Sequence, residues 1–281
     1  MKTKKGTHML IDEIDFSALY QQQLALAQRT EKAPEHWDKR AEKMAVICAN
    51  PQDAYLVQLI AKMDFSNAET LLDMGCGPGS VCLNVAHKLS HVYGVDYSKG
   101  MLEVAAKRAQ AMQLDNVTLL RRAWEDDWSD LPQCDIAVAS RSTLVGDLRS
   151  AMQKLHQQAR LRVYTTHTVS PSFVNAEVQR VIGRPVIELP NYIYAVNVLY
   201  QMGIHARVDF ITGPNCQGNT DTFERFYEST SWSLGTLNDE EQQRLFDYYT
   251  HQQKHGLTIA SPTRDWALVS WEKKTSPQGV L

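Results

Sequence analysis

The ten residues Leu71-Leu72-Asp73-Met74-Gly75-Cys76-Gly77-Pro78-Gly79-Ser80 constrain the fold of this chain more than any other stretch. A short apolar run ends at an acid, turns through three glycines and opens into a helical pattern. Glycine lets the backbone come close to a ligand because no Cβ stands in the way. The helix that follows points its first N–H groups, and the positive end of its dipole, at the same place. Strand, glycine turn and helix together form the ligand cradle of a doubly wound α/β sheet.

The surrounding pattern is consistent with that cradle. From Glu69 the chain alternates strand and helix, the signature of a parallel sheet. Strands are predicted at Thr70–Met74, His91–Val95, Val117–Leu120, Cys134–Ala139 and Arg160–Thr166, and helices at Val81–Leu89, Lys99–Met112 and Asp147–His156. Right-handed crossovers bring the strand C-termini to one edge. Upstream, residues 1–10 are predicted to fray, and three helices follow: Asp12 to Arg29, one starting near Ala33-Pro34-Glu35, and Asp53 to Met63. Either a packing cap on the sheet or a lid over the ligand mouth would account for them. Downstream, helices are predicted at Val174–Ile182 and Asn191–Met202. Strands at Ala206–Ile211 and Trp266–Trp271 flank a helical pair inserted over residues 219–255. No glycine- or proline-rich linker divides the chain, so it reads as one domain over 1–281. A helical cap (1–65), a cofactor-binding core (66–170) and a substrate-side half (171–281) make it up.

With 281 residues, 43% of them hydrophobic and 22% charged, a packed core is expected. The net charge of -3 gives no footprint for nucleic acid or a membrane surface. No apolar run long enough to span a bilayer is present, and no apolar segment follows the basic Met1-Lys2-Thr3-Lys4-Lys5. The five cysteines form no Cys-x-x-Cys pair, which suits reduced thiols in a cytoplasmic protein. A small-molecule substrate is thus the expected partner, without nucleic acid or membrane, and a homodimer is admitted.

Two acids choose among the ligands a glycine turn can hold. Dinucleotide enzymes show Gly-x-Gly-x-x-Gly. Here the spacing is Gly75-x-Gly77-x-Gly79, with Asp73 two residues before the first glycine. A carboxylate there would repel a pyrophosphate and suit an ammonium or sulfonium group. Asp96, in Tyr93-Gly94-Val95-Asp96-Tyr97-Ser98, lies 21 residues after Gly75, where an acid can accept from ribose hydroxyls. The alternative role for Asp96 is a helix cap, which Ser98 could also fill.

At these two segments the chain resembles the class I S-adenosylmethionine-dependent methyltransferases. Leu71 to Gly79 is similar to that family's first motif and Gly94 to Ser98 to its second, and the resemblance covers roughly residues 65–170. It implies a three-layer α/β Rossmann-like methyltransferase fold: a mostly parallel seven-stranded sheet with an antiparallel last strand, plus N-terminal helices and a C-terminal helical insertion. S-adenosylmethionine would be the cofactor and S-adenosylhomocysteine the product. Asp73 and the Gly75, Cys76, Gly77 and Gly79 backbone would hold the methionine part, and Asp96 the ribose. Tyr97 and Met101 would pack near the adenosine. In Arg122-Ala123-Trp124-Glu125-Asp126, Ala123 and Trp124 would lie near the base, and Glu125 would receive its exocyclic amine. Ser140 and Arg141, after strand four, would face the methionine end and the acceptor. Arg141 there could bind an anionic substrate or could form a surface ion pair. The Pro-Pro motif of amino-methylating DNA enzymes and the Pro-Cys of cytosine C5 enzymes do not occur at this place. Trp37 and Arg40, within His36-Trp37-Asp38-Lys39-Arg40-Ala41, are candidates for closing the cofactor site, with Tyr20 a further one. His167, just after strand five, would be a general base or a polar loop residue. His251-x-x-x-His255 has metal-compatible spacing, but no third ligand accompanies it, and no metal is expected.

The expected activity is therefore methyl transfer to a small molecule. A nicotinamide-dependent Rossmann oxidoreductase and a non-catalytic S-adenosylmethionine-binding protein are the competing readings.

Overall fold

The computed structural model describes residues 10–27, 32–170, 172–186, 188–214, 220–259 and 263–273. Positions 1–9 of the N-terminus, the expected helix end at Arg29 and residue 219 of the insertion lie outside them.

The apolar run at Leu71 becomes the central strand β1 (Thr70–Met74), buried from Leu71 onward. It runs parallel to β2 (His91–Asp96) on one side and to β4 (Cys134–Ala139) on the other. Strand β3 (Val117–Arg121) adds beyond β2, and β5 (Ala159–Thr168) beyond β4, both parallel. β6 (Arg207–Pro214) and β7 (Thr263–Glu272) form the antiparallel hairpin expected to close the sheet, and β7 lies antiparallel to β5 as well. The seven-stranded order is β3-β2-β1-β4-β5-β7-β6. The chain winds outward one way from β1, then resumes at β4 on its other side. That reversal opens a crevice at the C-terminal ends of β1 and β4, where ligands bind in such sheets.

Successive side chains of β1 feed opposite layers, as the period of two requires. Leu72 and Met74 pack with Met152, Leu155, Val198, Leu199 and Trp271. This layer comprises α1 (Phe16–Leu26), α7 (Leu148–Gln158) and α9 (Tyr192–Gln201). Leu71 packs the other way, with Tyr55, Leu56, Leu59, Cys82, Ile136 and Leu268. On that side lie α4 (Ala54–Lys62), α5 (Cys82–Val85) and α6 (Lys99–Ala111).

Local chemistry fixes where these helices begin. Asp53, Ser98 and Asp147 cap α4, α6 and α7 by accepting from backbone N–H groups in the first turn. The helix expected over Val81–Leu89 is instead the four-residue α5 followed by a 3-10 turn, Ala86–Lys88. The Asn116 amide donates to the carbonyls of Ala86 and Leu89, both at 2.9 Å, and so replaces helical partners there. The helix expected from Ala33 is two pieces, α2 (Pro34–Asp38) and α3 (Ala41–Cys48), because Asp38 turns away to bond the start of α6.

After β5, α8 (Ala176–Val181), α10 (Phe223–Leu234) and α11 (Asp239–Lys254) share a core of their own around Val178, Ile182, Phe226 and Leu245. Arg184 clasps Glu241 through two bonds of 2.6 and 2.8 Å, which holds the Glu241 carboxyl down at about 2. Among the described residues no helix is long and apolar enough to cross a membrane.

Candidate active site

The three glycines after β1 all take left-handed backbone angles, with φ of +70°, +54° and +77° at Gly75, Gly77 and Gly79. Two also stand where a side chain has no room. A Cβ on Gly75 would lie 2.4 Å from the Ser142 Cβ, and one on Gly79 2.5 Å from the Leu83 Cγ. At Gly77 the nearest atom is the Met101 Sδ, 4.0 Å away, because that stretch of backbone faces open space. The turn is pinned to the next strand: Gly75 and Cys76 donate to the Val95 carbonyl at 2.8 and 3.0 Å. From below, the Arg108 guanidinium donates to Pro78 and Gly79 carbonyls and, at 2.7 Å, to that of Ala49.

The two acids have different surroundings. Asp96 is 6% exposed; its Oδ2 accepts from the Gly77 N–H at 2.8 Å and its Oδ1 from the Ser98 N–H at 2.9 Å. Burial raises its pKa, and these backbone bonds oppose the rise. Asp73 is 1% exposed. Its Oδ2 accepts from the Cys82 N–H at 3.0 Å, but its Oδ1 is buried with no hydrogen-bond partner. Burial pushes its carboxyl up to about 7. A buried orphan acceptor is costly unless something binds it.

Both acids line a cavity of about 510 Å³ at the crevice. Gly75, Cys76 and Gly77 form one part of the wall, followed by Tyr97 and Met101 after β2. Ala123, Trp124 and Glu125 after β3, and Ser140 and Arg141 after β4, complete the sheet edge. Thirteen of the seventeen site residues singled out in the sequence therefore meet at one cavity, with Trp37 of α2 over it. The other four, Gly79, Arg40, His167 and Tyr20, stand outside its wall. Gly79 lies behind the turn against Leu83. Arg40 stacks its guanidinium 3.5 Å from the centre of the Trp232 ring.

His167 is neither in a loop nor at the cavity. It belongs to β5, paired with Ala267, because β7 prolongs the ladder past Thr166. Its ring bonds the hydroxyls of Thr143 (3.1 Å) and Thr165 (2.9 Å), and burial pushes its pKa down to about 3. It is therefore a neutral core histidine. Tyr20, also buried, donates its hydroxyl to the Val145 carbonyl at 2.7 Å.

The N-terminal helices roof the cavity through Gln21, Leu24 and Ala25 of α1, Trp37 of α2, and Met44 and Cys48 of α3. Two devices hold the roof. The Asp38 carboxylate accepts from the Ser98 hydroxyl at 2.6 Å and the Gly100 N–H at 2.8 Å, at the N-terminus of α6. Gly100 permits this approach, since a Cβ there would lie 2.7 Å from the Asp38 Cα. On the other side Trp232 of α10 receives the roof: His36 stacks on it at 4.3 Å, Trp37 meets it edge-on at 5.7 Å, and Lys32 and Arg40 lie over its ring. The inserted helices thus brace the roof and contribute no residue to the cavity wall among those described.

Asp38, Gly100, Arg108 and Trp232 escaped the sequence reading. Asp38 sits inside a segment already singled out, and its place before a helix-starting Ser98 could not be seen without the fold. Arg108 and Trp232 look like ordinary surface and core residues in sequence.

Known proteins carry the same pattern. The model of a methyltransferase domain family matches residues 65–182. An uncharacterized protein of Haemophilus influenzae is 38% identical over 263 residues, covering 94% of this chain and 98% of that one. The YcgJ protein of Bacillus subtilis superposes with a TM-score of 0.55 at 16% identity, over 79% of this chain and 99% of that one. Phosphoethanolamine N-methyltransferase 2 of Haemonchus contortus, solved with phosphomonomethylethanolamine and S-adenosylhomocysteine, gives 0.53 at 17% identity, over 85% of this chain and 58% of that one. At such identities the two solved structures speak for the fold. The fold and the matched segment, residues 65–182, are those of the class I S-adenosylmethionine-dependent methyltransferases. The protein is an enzyme of that class, with S-adenosylmethionine as its methyl donor.

Proposed function

We propose that the protein transfers the methyl group to a small molecule enclosed between the sheet edge and the N-terminal roof. The observation that carries the reading is the orphaned Asp73 Oδ1, buried in the cavity wall beside a backbone turn built from glycines. An acceptor so placed fits the cationic methionyl end of the donor and would repel a pyrophosphate.

In this reading Asp73 and the Gly75–Gly77 backbone take the methionyl end. Asp96 already accepts two backbone bonds, and an ionised carboxylate offers about four acceptor sites, so two remain for ribose hydroxyls. Tyr97, Met101, Ala123 and Trp124 sandwich the base, and Glu125 accepts from its amine. Ser140 borders the methyl end. Trp37 closes the site, and Arg40 acts at one remove by holding Trp232 beside it.

Bound S-adenosylmethionine supplies a methyl group on a sulfonium, whose carbon–sulfur electrons stay with sulfur when the acceptor's lone pair takes the carbon. The chain's own work is then to align the acceptor and exclude water. The roof of α1, α2 and α3 does both. The enclosure of the cavity by these helices supports a small acceptor over a polymer, and the net charge of -3 supports it further.

Equilibrium binding of S-adenosylmethionine, S-adenosylhomocysteine and NADH tests the cofactor roles, and isotope-labelled methyl transfer into a metabolite extract tests the acceptor class. Tight adenosyl binding with a labelled small product is expected. Labelled RNA or protein would overturn the acceptor assignment, and binding of NADH alone would overturn the cofactor roles.

A further inference from the structure

The part of the cavity wall made by α1, α3 and the segment after β4 differs from the part that holds the two carboxylates. Leu24, Ala25, Met44, Leu144 and Val145 make most of it apolar, with Gln21, Ser140 and Ser142 as its polar members. Into this wall the chain sets one guanidinium, that of Arg141.

Its placement is fixed from three sides. The backbone of Arg141 is left-handed, with φ of +57°, a region that non-glycine residues seldom adopt. Its N–H donates to the Thr166 Oγ1 at 2.8 Å, which holds the backbone there. The guanidinium carbon lies 4.2 Å from the centre of the Tyr55 ring, and Nη2 reaches the Cys48 carbonyl at 3.5 Å. The Tyr55 ring is itself immobilised, 1% exposed, with its hydroxyl bonded to Ser140 at 2.8 Å and to the same Thr166 at 2.7 Å. One threonine thus anchors both the backbone that carries the cation and the ring on which it lies. Among the described residues Lys32, which lies over Trp232, and Arg122, which pairs with Asp130, also line the cavity.

We propose that the methyl acceptor is an apolar organic molecule bearing a carboxylate, and that Arg141 is the residue that binds it. The proposal rests on the methyltransferase reading of the cavity. A stacked guanidinium keeps its fork of donors in one plane, which matches the two oxygens of a carboxylate. A largely apolar wall around one guanidinium suits a monoanion with a hydrocarbon body. A phosphate monoester, with its greater charge, would call for further cations. Arg141 serves here as the handle for the acceptor and takes no part in bond making.

The test is a calorimetric titration of the protein saturated with S-adenosylhomocysteine. The probes are a panel of aryl and alkyl carboxylates, their matched primary amides and the corresponding phosphate monoesters. At least one carboxylate should bind tenfold or more tightly than its amide. Arg141→Gln should abolish that preference, and Arg141→Lys should retain part of it, while both variants bind S-adenosylhomocysteine within about threefold of the parent. Carboxylates no better than their amides across the panel, a preference for phosphate monoesters, or a preference that survives Arg141→Gln would each overturn the proposal. Failure of the parent protein to bind S-adenosylhomocysteine at all would instead overturn the reading beneath it.

Discussion

The Asp96 carboxylate accepts a 2.8 Å bond from the Gly77 N–H, so the acid at the end of β2 fastens the glycine turn that follows β1. The same carboxylate holds the Ser98 N–H at 2.9 Å. One side chain therefore shapes the cradle and is placed to hold the ligand in it.

This double role sets the outcome of Asp96→Ala. Two ribose bonds to a charged acceptor are lost, about 3 kcal/mol or roughly 100-fold in adenosyl affinity. The Gly77 and Ser98 N–H groups also lose their acceptor, so stability should fall by about 1–3 kcal/mol. Isothermal titration with S-adenosylhomocysteine and urea unfolding measure the two effects. Asp96→Asn keeps one acceptor oxygen but turns an NH2 toward the other N–H, so it should recover at most part of the stability and little of the affinity. If stability were untouched by the alanine, the fastening role would be discarded.

If Asp73 takes the cationic end of the donor as proposed, donor binding should depend on pH. Burial raises its carboxyl from 3.8 to about 7, so below pH 7 the ligand-free protein holds it protonated. A cationic ligand needs it ionised. Affinity for S-adenosylmethionine should therefore fall about tenfold per unit as pH drops below 7, and level off above it. Uncharged adenosine should show no such slope. Because the folded value lies above the unfolded one, this group costs stability as pH rises from about 4 to 7. Asp73→Asn should accordingly raise the melting temperature at pH 8 while destroying the pH-dependent binding.

His167 gives the opposite sign. Its folded value, about 3, lies below the ordinary 6.5, so the unfolded chain takes up a proton first as pH falls. Stability present above pH 6.5 is lost progressively between 6.5 and 3. His167→Gln should flatten that loss in urea titrations. The pH profile of methyl transfer should keep its shape in the variant; a displaced limb would restore His167 as a proton carrier.

Trp232 and Asp38 hold the roof from two sides. Cation–π contacts of Lys32 and Arg40 with Trp232 are worth about 0.5–1 kcal/mol each at such sites. Trp232→Ala should raise hydrogen exchange in residues 34–38 by about tenfold and weaken S-adenosylhomocysteine several-fold through Trp37. Exchange confined to α10 would show that the roof stands without the brace.

Much of the site was legible because its chemistry is local. Asp73 lies near the end of β1 just before the glycines, Asp96 is the last residue of β2, and the period of two buries Leu71 and Leu72 on opposite faces whatever lies around them. His167 was misjudged for a nonlocal reason. Its position depends on how far β7, a hundred residues away in sequence, extends the pairing of β5. The helix expected over Val81–Leu89 was overestimated because Asn116, far downstream, takes the carbonyls of Ala86 and Leu89.

The sequence alone determined the class of fold, the edge at which the cavity opens and the methyl donor. Those follow from strand periodicity, from glycine's freedom at positive φ and from charge beside a turn, all properties of adjacent residues. Only the tertiary structure decided what braces the roof of the cavity and what holds Arg141 in its wall. The meeting of Asp38 with Ser98, of Trp232 with Arg40 and of Arg141 with Tyr55 joins residues 60 to nearly 200 positions apart. No local propensity encodes such meetings, since they arise from the packing of apolar faces that many other sequences could supply.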